Sequence, residues 1–483
     1  MTPLTPSSAF GIPLSRSTSR VVRSRSRAQR LLRAATLQAR VDPMVGAPAH
    51  APGTREAAAG ALAADPTRPA RSLPGPRGHR TPPAPQDPVA VAQGAALVRS
   101  LGRPLLGGHA VEVLLDGPAT YASMFEAIAQ ARDHINLESY MIEHAGPGAE
   151  LAERLAERCR AGVRVNLLFD SVGSIGTAAA YFRQLEAAGV NLCEYNPLRK
   201  VSTWLTRALH LRDHRKLMVV DGRVGFIGGV NISPAYGSGP AAHAVQAATG
   251  NPLATPWRDT HLRVEGPVVA HLQRLFTSHW QRFSRTPMAA ANYFPPLRPA
   301  GSQRVALAAC DAGRRSNPFY RALLAAIDAA QHRVLITTAY MVPPRRLLRA
   351  LVRAAERGVE VQVLLPGISD VWAALHAGRS HYARLLRAGV RIHERHDRFV
   401  HAKTCVIDGV WTTVGSSNFD WRSILHNAEA NLLVLDAQLA SRMERVFHDD
   451  VEIAREIDAG RWARRSWLQR GREALAMRFQ FFL

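Results

Sequence analysis

The chain repeats its own sequence pattern once, and this duplication limits the possible folds more than any other feature. In each copy, short apolar runs typical of strands alternate with amphipathic stretches typical of helices. Three pairs of segments match: AIAQARDHINLESYMIE (127–143) with AIDAAQHRVLITTAYMVP (326–343), LAERLAERCRAGVRVNLLFDSVGS (151–174) with LLRALVRAAERGVEVQVLLPGISD (347–370), and YFRQLEAAGVNLCEY (181–195) with YARLLRAGVRIHE (382–394).

The length of the repeat favours two complete α/β units over a row of small ones. Equivalent points lie roughly 190–200 residues apart, which is too far for the unit of a solenoid. The predicted fold class is therefore α/β, with two similar α/β/α lobes packed around a pseudo-two-fold axis. Residues near that axis would meet their own copies, so we expect an active site at the interface of the lobes.

Both halves carry the same polar motif, H-x-K-x4-D, followed by G-[GS]-x-N. With 19 His, 3 Lys and 19 Asp in the chain, the number of chance matches to H-x-K-x4-D is on the order of 0.005, so two copies at equivalent places indicate a function. The motif residues are His214, Lys216 and Asp221 in the first half and His401, Lys403 and Asp408 in the second.

The motif residues suit phosphodiester chemistry. A strand directs alternate side chains to one face, so each histidine points the same way as the lysine two residues later. If the halves meet, one histidine can attack phosphorus while the other protonates the leaving oxygen, and two cations stabilise the phosphoryl oxygens. Lysine is a compact point charge beside a crowded phosphorus, which accounts for its use here in a chain with only three lysines among 61 basic residues.

The two motif aspartates, Asp221 and Asp408, are catalytic candidates whose role stays open at this point. Each stands before a glycine at the end of an apolar run, where Asp-Gly is also ordinary turn chemistry. A structural support and a place in the site are both compatible with the pattern, and proton transfer by these aspartates is disfavoured.

Five further residues are candidates for holding the phosphate or supporting the histidines. Asn231, Ser416 and Asn418 follow the two motifs and are expected to line the site, although turn residues also occur in such places. Asp259 and Glu429 each open a later strand. We expect each to hydrogen-bond the histidine of its own half and fix its tautomer; the alternative is an ordinary carboxylate at a strand edge.

The duplicated H-x-K-x4-D with G-[GS]-x-N resembles the signature of the phospholipase D superfamily over roughly residues 108–450. The segments LRDHRKLMVVDGRVGFIGGVNIS, WRDTHLRVEGP and VGSSNFDWRSILHNAEAN are similar to those of bacterial cardiolipin synthases, particularly the short type without N-terminal membrane helices. That family joins phosphatidylglycerol to a second phospholipid and releases glycerol or another headgroup alcohol.

The resemblance implies a two-step phosphatidyl transfer that uses neither a metal nor another cofactor. His214 would be the nucleophile that forms a phosphohistidine, and His401 would be the general acid and then the base. The resemblance also implies that the phosphate is held by Lys216, Lys403, Asn231 and Asn418, and that the histidines are oriented by Asp259 and Glu429.

Composition divides the chain into four parts. Residues 1–100 contain 14 Arg and four acids and are rich in Ser and Pro, so we predict a disordered, dispensable tail. Residues 101–300 form the predicted first lobe and residues 301–450 the second. Residues 451–483 are a basic C-terminal segment, in which Leu468, Leu475, Phe479 and Phe482 would share one face of a helix.

Charge and apolar pattern indicate contact with a membrane surface. The net charge is +23, which favours anionic partners, here anionic phospholipid substrates. No uncharged apolar run reaches the ~18 residues that a membrane-spanning helix needs. The four cysteines are scattered without a CxxC pair, so neither a disulfide framework nor a zinc site is expected. Together with the resemblance to bacterial cardiolipin synthases, these features lead us to expect a peripheral protein on the cytoplasmic face of a bacterial inner membrane.

Two other functions fit the same motifs less well. A hydrolytic phospholipase or a nuclease would use water as the acceptor, but nucleic-acid binding is disfavoured because aromatic residues make up only 7% of the chain and show no stripe among the cations. A non-catalytic scaffold that binds anions through its Arg-rich tail is disfavoured by intact motifs in both halves. The sequence carries no signal for an oligomeric state.

Overall fold

The duplicated pattern folds into two matching halves of one long sheet. A computed structural model describes residues 87–197, 210–237, 252–314 and 316–482. The first half contains β1 (Leu106–Leu115), α2 (Asp116–Gln130), β2 (His134–Ser139), α3 (Pro147–Arg160), β3 (Arg164–Asp170), α4 (Ala179–Ala187), β4 (Asn191–Tyr195), β5 (Lys216–Val220), β6 (Val224–Gly228), β7 (Thr260–Glu265) and α5 (Val269–Phe283), and is preceded by α1 (Pro88–Leu101).

The second half repeats this order and adds a C-terminal extension. It contains β8 (Gln303–Cys310), α6 (Pro318–Ala329), β9 (Arg333–Thr338), α7 (Arg345–Glu356), β10 (Glu360–Pro366), α8 (Trp372–Arg379), α9 (Tyr382–Arg387), β11 (Arg391–Arg395), β12 (Lys403–Ile407), β13 (Trp411–Gly415), α10 (Trp421–Leu425), β14 (Glu429–Leu435) and α11 (Ala437–Ile453). The extension contains β15 (Arg455–Glu456), α12 (Ala459–Ala463) and α13 (Trp467–Met477).

The order of the strands confirms the predicted two-lobed α/β fold. Along the sheet the order is β15-β11-β10-β9-β12-β13-β14-β8-β1-β7-β6-β5-β2-β3-β4, so the second half mirrors the first about the β8–β1 junction. In each half the strand with the H-x-K motif lies antiparallel between the first parallel strand and a hairpin partner: β5 between β2 and β6, and β12 between β9 and β13.

Helices cover both faces of this sheet and bury three apolar cores. One core lies under α2, α3 and α4 of the first lobe, and a second lies under α6, α7 and α9 of the second lobe. The third core lies on the other face, beneath α5 and α11, and contains residues of both lobes, such as Val113 and Leu432. Because this core is shared, the two lobes are held at a fixed relation, and the motif strands are positioned against each other.

The prediction of a disordered tail through residue 100 is wrong for its last part, and residues 1–86 lie outside the described residues. Helix α1 is capped by Asp87, whose side chain accepts a hydrogen bond from the Val89 backbone N–H at 2.7 Å. Leu97 is fully buried, and the Gln93 side chain donates to the Ala326 carbonyl on α6. Apolar burial against the second lobe therefore offsets the ordering cost for this stretch.

None of the helices in the described ranges is both long enough and apolar enough to cross a bilayer.

Candidate active site

The two H-x-K motifs lie at the beginnings of equivalent strands. Lys216 is the first residue of β5 and Lys403 is the first residue of β12. The histidine two residues earlier precedes each strand, and its carbonyl accepts a hydrogen bond from the lysine ammonium, at 2.6 Å for Lys216 and His214. His214 and His401 are buried, with 9% and 5% of their surface exposed, so both imidazoles are nearly withdrawn from solvent.

Backbone hydrogen bonds between the lobes hold the two motifs together. The His214 N–H donates to the Ala428 carbonyl at 2.9 Å, and the His401 N–H donates to the Arg258 carbonyl at 2.7 Å. Ala428 immediately precedes Glu429, so each motif is paired with the segment that enters a carboxylate-bearing strand of the other lobe. Each lobe thus provides a segment that pairs with the motif of the other lobe, as expected for two halves related by a pseudo-two-fold axis.

The supporting carboxylates are consequently exchanged between the lobes. His214 Nδ1 lies 3.0 Å from Glu429 Oε1, and His401 Nδ1 lies 2.7 Å from Asp259 Oδ2. The prediction that each acid binds the histidine of its own half is therefore wrong about the partner, because the bridging segments deliver each acid across the interface. In both pairs the Nδ1–H can donate to the carboxylate, which leaves Nε2 with its lone pair for chemistry.

The second position of each G-[GS]-x-N segment lies against a carboxylate, but in a different way in each lobe. The Ser416 hydroxyl donates a hydrogen bond to Glu429, the carboxylate that pairs with His214. Ser416 belongs to the second lobe and therefore supports the histidine of the first lobe. The equivalent position in the first lobe is Gly229, where a Cβ would lie 2.1 Å from Asp259 Oδ1. Glycine is required there because the carboxylate fills the space that a side chain would occupy.

The two motif asparagines have different surroundings. The Asn231 amide donates to the Tyr236 hydroxyl at 3.0 Å, and that hydroxyl lies 2.9 Å from His401 Nδ1. Asn418 is 4% exposed, and its side-chain oxygen has no partner within the described residues. Tyr236 was not predicted as a site residue, because nothing in its sequence position distinguishes it from a core tyrosine before the fold is known.

The two motif aspartates lie away from this cluster. Five-residue strands separate them from the lysines, which is about 16 Å of chain. The Asp221 carboxylate accepts hydrogen bonds from the backbone N–H groups of Arg132, Asp133 and His134 at 2.8–2.9 Å, and Asp408 accepts equivalent bonds from residues 331–333. Their inclusion among the catalytic candidates is therefore corrected: both aspartates fix the start of the neighbouring parallel strand.

Burial sets the protonation of the central groups. Burial lowers the pKa of His214 to about 4 and that of His401 to about 3, although the paired carboxylates act in the opposite direction. Burial also lowers the pKa of Lys216 to about 7 and that of Lys403 to about 8. The charge of Lys403 acts on both His214 and Lys216, which shows that the motifs of the two lobes form one cluster.

The carboxylates are ionised at neutral pH. Burial alone raises the pKa of both carboxyl groups, but the paired imidazoles, hydrogen bonds and nearby ammonium groups outweigh it, so the pKa values of Asp259 and Glu429 both lie below their usual range. The free cluster therefore combines two neutral imidazoles, two anions and two ammonium groups that lose their protons near neutral pH. An anionic phosphoryl group would raise the pKa of both lysines and both histidines.

A buried polar cluster lies behind the first motif. His279 Nδ1 lies 2.8 Å from Glu138 Oε1, and the Arg215 guanidinium lies 3.4 Å from the same oxygen. Burial and the neighbouring Glu138 charge raise the pKa of Asp213 well above its usual value, and burial also raises the pKa of Glu138. Glu138, Asp213 and His279 could geometrically ligate a cation, but the Arg215 guanidinium already supplies a positive charge there.

Comparison with known proteins assigns the chain to a family. Residues 124–237 and 323–451 match the model of the PLD-like domain of cardiolipin synthase. The cardiolipin synthase of Geobacillus kaustophilus is 32% identical over 405 residues, which cover 81% of this chain and 78% of that protein. The chain belongs to the cardiolipin synthase family. As a member of this family it is a phosphatidyltransferase of the phospholipase D superfamily and an enzyme of phospholipid synthesis.

Other relatives agree with this assignment. Cardiolipin synthase A of Pseudomonas putida (strain W619) is 35% identical over 362 residues, which cover 74% of this chain and 72% of that protein. The crystal structure of phosphatidylserine synthase from Haemophilus influenzae superposes with a TM-score of 0.58 over 81% of this chain and all of that chain. At 14% identity this second likeness concerns the fold alone, and it agrees with the duplicated arrangement. The resemblance noted from the motifs is confirmed.

Proposed function

We propose that this protein is a cardiolipin synthase that transfers a phosphatidyl group from phosphatidylglycerol to a second phospholipid through a phosphohistidine intermediate. One observation carries the proposal: two neutral imidazoles, each held at Nδ1 by a carboxylate of the opposite lobe, lie in a buried cluster with two ammonium groups. Such a cluster offers a nucleophile, a proton donor and acceptor, and charge stabilisation for a phosphodiester.

In the first step, His214 Nε2 attacks the phosphorus of phosphatidylglycerol. The bond from phosphorus to the glycerol oxygen breaks, and His401 Nε2 gives its proton to that oxygen, so that free glycerol leaves. Glu429 stabilises the positive charge that develops on the His214 ring, because its carboxylate lies at 3.0 Å from Nδ1. The assignment of His214 as the nucleophile follows the order of the motifs in the superfamily.

In the second step, a hydroxyl group of the acceptor lipid attacks the phosphohistidine. His401 Nε2, now without its proton, takes the hydroxyl proton, the new phosphorus–oxygen bond forms and His214 is released. Asp259 accepts from His401 Nδ1 in both steps and stabilises the imidazolium form. His401 must therefore be protonated when the donor lipid is bound, and the negative charge of the phosphodiester raises its pKa toward that state.

The lysines and asparagines hold the phosphate in this mechanism. Lys216 and Lys403 carry compact charges that can approach the two non-bridging oxygens from opposite lobes. The Asn418 side-chain oxygen has no partner within the described residues, so the amide can turn to present its NH2 group to a phosphoryl oxygen. The Asn231 amide instead contacts Tyr236, so its effect on the phosphate passes through the position of His401.

Lipid substrates require access to a bilayer, so the proposal includes peripheral contact with a membrane. The basic composition of the chain, with a net charge of +23, favours a surface rich in anionic lipids. The cytoplasmic face of a bacterial inner membrane is the surface we propose.

A lipid product analysis tests the proposed reaction. Purified full-length protein is incubated with phosphatidylglycerol vesicles, and the products are separated by mass spectrometry. Cardiolipin together with glycerol is expected. Phosphatidic acid without cardiolipin would mean that water is the acceptor, and degraded DNA in a parallel sample with unchanged lipid would mean that the protein is a nuclease; both results contradict the proposal.

Trapping the intermediate tests the two histidine roles. With His401→Ala and an activated phosphatidyl ester, a covalent phosphatidyl adduct on the protein is expected. The leaving group of this ester departs without a general acid, so the adduct forms. Its breakdown needs a general base to activate the acceptor, so the adduct accumulates. His214→Ala serves as the matched control and should give no adduct. An adduct in His214→Ala, located by peptide mapping at His401, would reverse the two roles.

A further inference from the structure

Large apolar side chains are exposed on α8 of the second lobe and on the C-terminal extension. They are exposed to an unusual degree: Trp467 is 78% exposed, Leu475 57% and Leu468 55%. Phe479 and Trp372 are also about half exposed. Side chains this large are normally buried, so a group of them on one surface indicates a partner. We call Trp372, Trp467, Leu468, Leu475 and Phe479 the apolar rim.

The C-terminal helix that carries most of the rim is firmly attached to the second lobe. Ala476 of α13 is fully buried against Val342 and Ala377, and Ala377 belongs to α8. The Arg465 guanidinium lies 2.8 Å from the buried Glu473 carboxylate and ties the start of the helix to its middle. The buried side of α13 is therefore occupied.

The exposed side of α13 is apolar where it faces away from this contact. Leu468 and Leu475 are seven residues apart and lie on one face of the helix, whereas the buried Glu473 and Ala476 lie on another. The sequence prediction of a shared apolar face is consistent with these positions, and Phe482 lies outside the residues whose side chains are described. Two leucines on one exposed face of a helix are more apolar surface than packing against its own lobe requires.

The rim lies beside the active site. Trp372 begins α8, two residues after Asp370, whose charge acts on the Lys403 ammonium and whose carboxylate accepts a hydrogen bond from Tyr340 at 2.6 Å. Phe481, which follows α13, contacts Trp421 at the start of α10 with 6.2 Å between ring centroids. Helix α10 follows the second G-S-x-N segment, so the C-terminal extension borders the same end of the strands as the motif lysines.

The charge of this segment determines the kind of partner. Residues 461–483 contain six arginines and one acid, Glu473, which is paired with Arg465. Arg461, Arg464, Arg472 and Arg478 are exposed beside the rim. Large apolar side chains flanked by exposed cations match the interface of an anionic bilayer, where rings and leucines enter the headgroup region and guanidiniums contact phosphates.

We propose that the apolar rim and its arginines insert into an anionic lipid surface and orient the active site toward the headgroups. This inference rests on the proposed function, because an enzyme that acts on lipid substrates needs a surface that contacts the bilayer. It adds the orientation of the enzyme on the bilayer and the side chains that determine it. The rim and its arginines would also place the Lys403 side of the site next to the membrane.

Vesicle binding by the full-length protein tests the proposal. Leu468→Gln/Leu475→Gln should lower the partition coefficient onto vesicles of phosphatidylglycerol and phosphatidylcholine at least tenfold. Val91→Gln is the matched control, because Val91 is 61% exposed on α1, and it should leave vesicle binding as in the parent protein. Arg464→Gln/Arg472→Gln should weaken binding to the anionic vesicles and reduce its dependence on salt. Binding of the double leucine variant at the parent level would overturn the proposal.

Two further measurements separate this proposal from folding defects and from the proposed function. Brominated phosphatidylcholine in the vesicles should quench tryptophan emission less in Trp467→Phe than in the parent, and equal quenching would overturn the insertion. The double leucine variant should lose more activity on vesicles than on a dispersed short-chain phosphatidylglycerol. If the parent binds vesicles through the rim but makes no cardiolipin, the proposed function fails and the surface assignment stands; if it binds DNA and not vesicles, the surface assignment fails.

Discussion

Replacing Glu429 by glutamine is expected to slow attack by His214, although the two residues belong to different lobes. The carboxylate lies 3.0 Å from His214 Nδ1 and is 1% exposed, so its charge is poorly screened by water. The His214 ring becomes cationic when Nε2 binds phosphorus. The substitution removes the negative charge that stabilises this cation and keeps an oxygen that can accept the Nδ1–H.

The size of the effect follows from the distance. Two unit charges 3.0 Å apart interact by about 5–6 kcal/mol at an effective dielectric constant of ~20. Glutamine keeps roughly half of this stabilisation through its hydrogen bond, so a loss of about 3 kcal/mol is expected, which corresponds to about a hundredfold decrease in kcat. Asp259→Asn should decrease kcat by a similar factor, because the Asp259 carboxylate stabilises the cationic form of His401.

An activated substrate distinguishes the two carboxylates. A phosphatidyl p-nitrophenyl ester loses a leaving group that departs without protonation, so the burst of p-nitrophenol reports nucleophilic attack alone. Glu429→Gln should slow this burst about as much as it slows turnover of phosphatidylglycerol. Asp259→Asn should leave the burst nearly at the parent rate, because its partner His401 is not needed as an acid.

The opposite pattern would refute the exchanged pairing. If Asp259→Asn slows the burst and Glu429→Gln does not, each acid serves the histidine of its own lobe. The histidine variants provide the necessary control, because they show independently which ring is the nucleophile: His401→Ala should retain the burst and His214→Ala should abolish it.

Three other predictions follow from the same site. Asp221→Ala should lower the free energy of unfolding by about 2–4 kcal/mol, because three backbone N–H groups lose their acceptor, while the folded fraction keeps its kcat; urea unfolding with activity assays checks this, and lost activity at unchanged stability would contradict it. The kcat/KM should fall more steeply with pH above about 7 to 8, where Lys216 and Lys403 lose their protons, than below it; a slope that stays the same up to pH 10 would refute the lowered lysine pKa values. Asp213→Asn should be tolerated better in thermal unfolding than Glu138→Gln, because burial raises the pKa of Asp213 well above its usual value, whereas the Glu138 carboxylate lies 3.4 Å from the buried Arg215 guanidinium; equal losses would contradict this difference.

The sequence predicts the fold class and the reacting groups because both leave local patterns. Apolar runs and helical spacing repeat in the two halves, and a shared face of a strand requires only that His214 and Lys216 be two residues apart. These features depend on neighbouring residues, and the strand order confirms the two-lobed arrangement.

Local patterns did not reveal helix α1 (Pro88–Leu101). Helix α1 has a good N-cap at Asp87, but its stability comes from burial of Leu97 and Gln93 against the second lobe, more than 200 residues later in the chain. A stretch of Ala, Val and Gly has little apolar surface of its own, so only the contact decides whether it orders.

The carboxylate partners were decided by tertiary structure alone. Asp259 lies 45 positions from His214 in the sequence, whereas Glu429 lies 215 positions from it, and proximity in the chain favours the wrong partner. The exchange arises because Asp213 bridges Ala428 and Val400 bridges Arg258, across an interface that exists only when the lobes pack. Within the second lobe Ser416 donates to Glu429, the partner of the opposite histidine, and within each lobe the Asp221 and Asp408 carboxylates accept hydrogen bonds from backbone N–H groups.

The sequence by itself thus determined a duplicated α/β chain with two histidines and two lysines suited to phosphodiester chemistry. The tertiary structure decided which acid serves which histidine, because hydrogen bonds at 2.7–3.0 Å depend on the position of one lobe against the other. Periodicity along a chain carries no information about that position, since it is fixed by the shared apolar core between the two halves of the sheet.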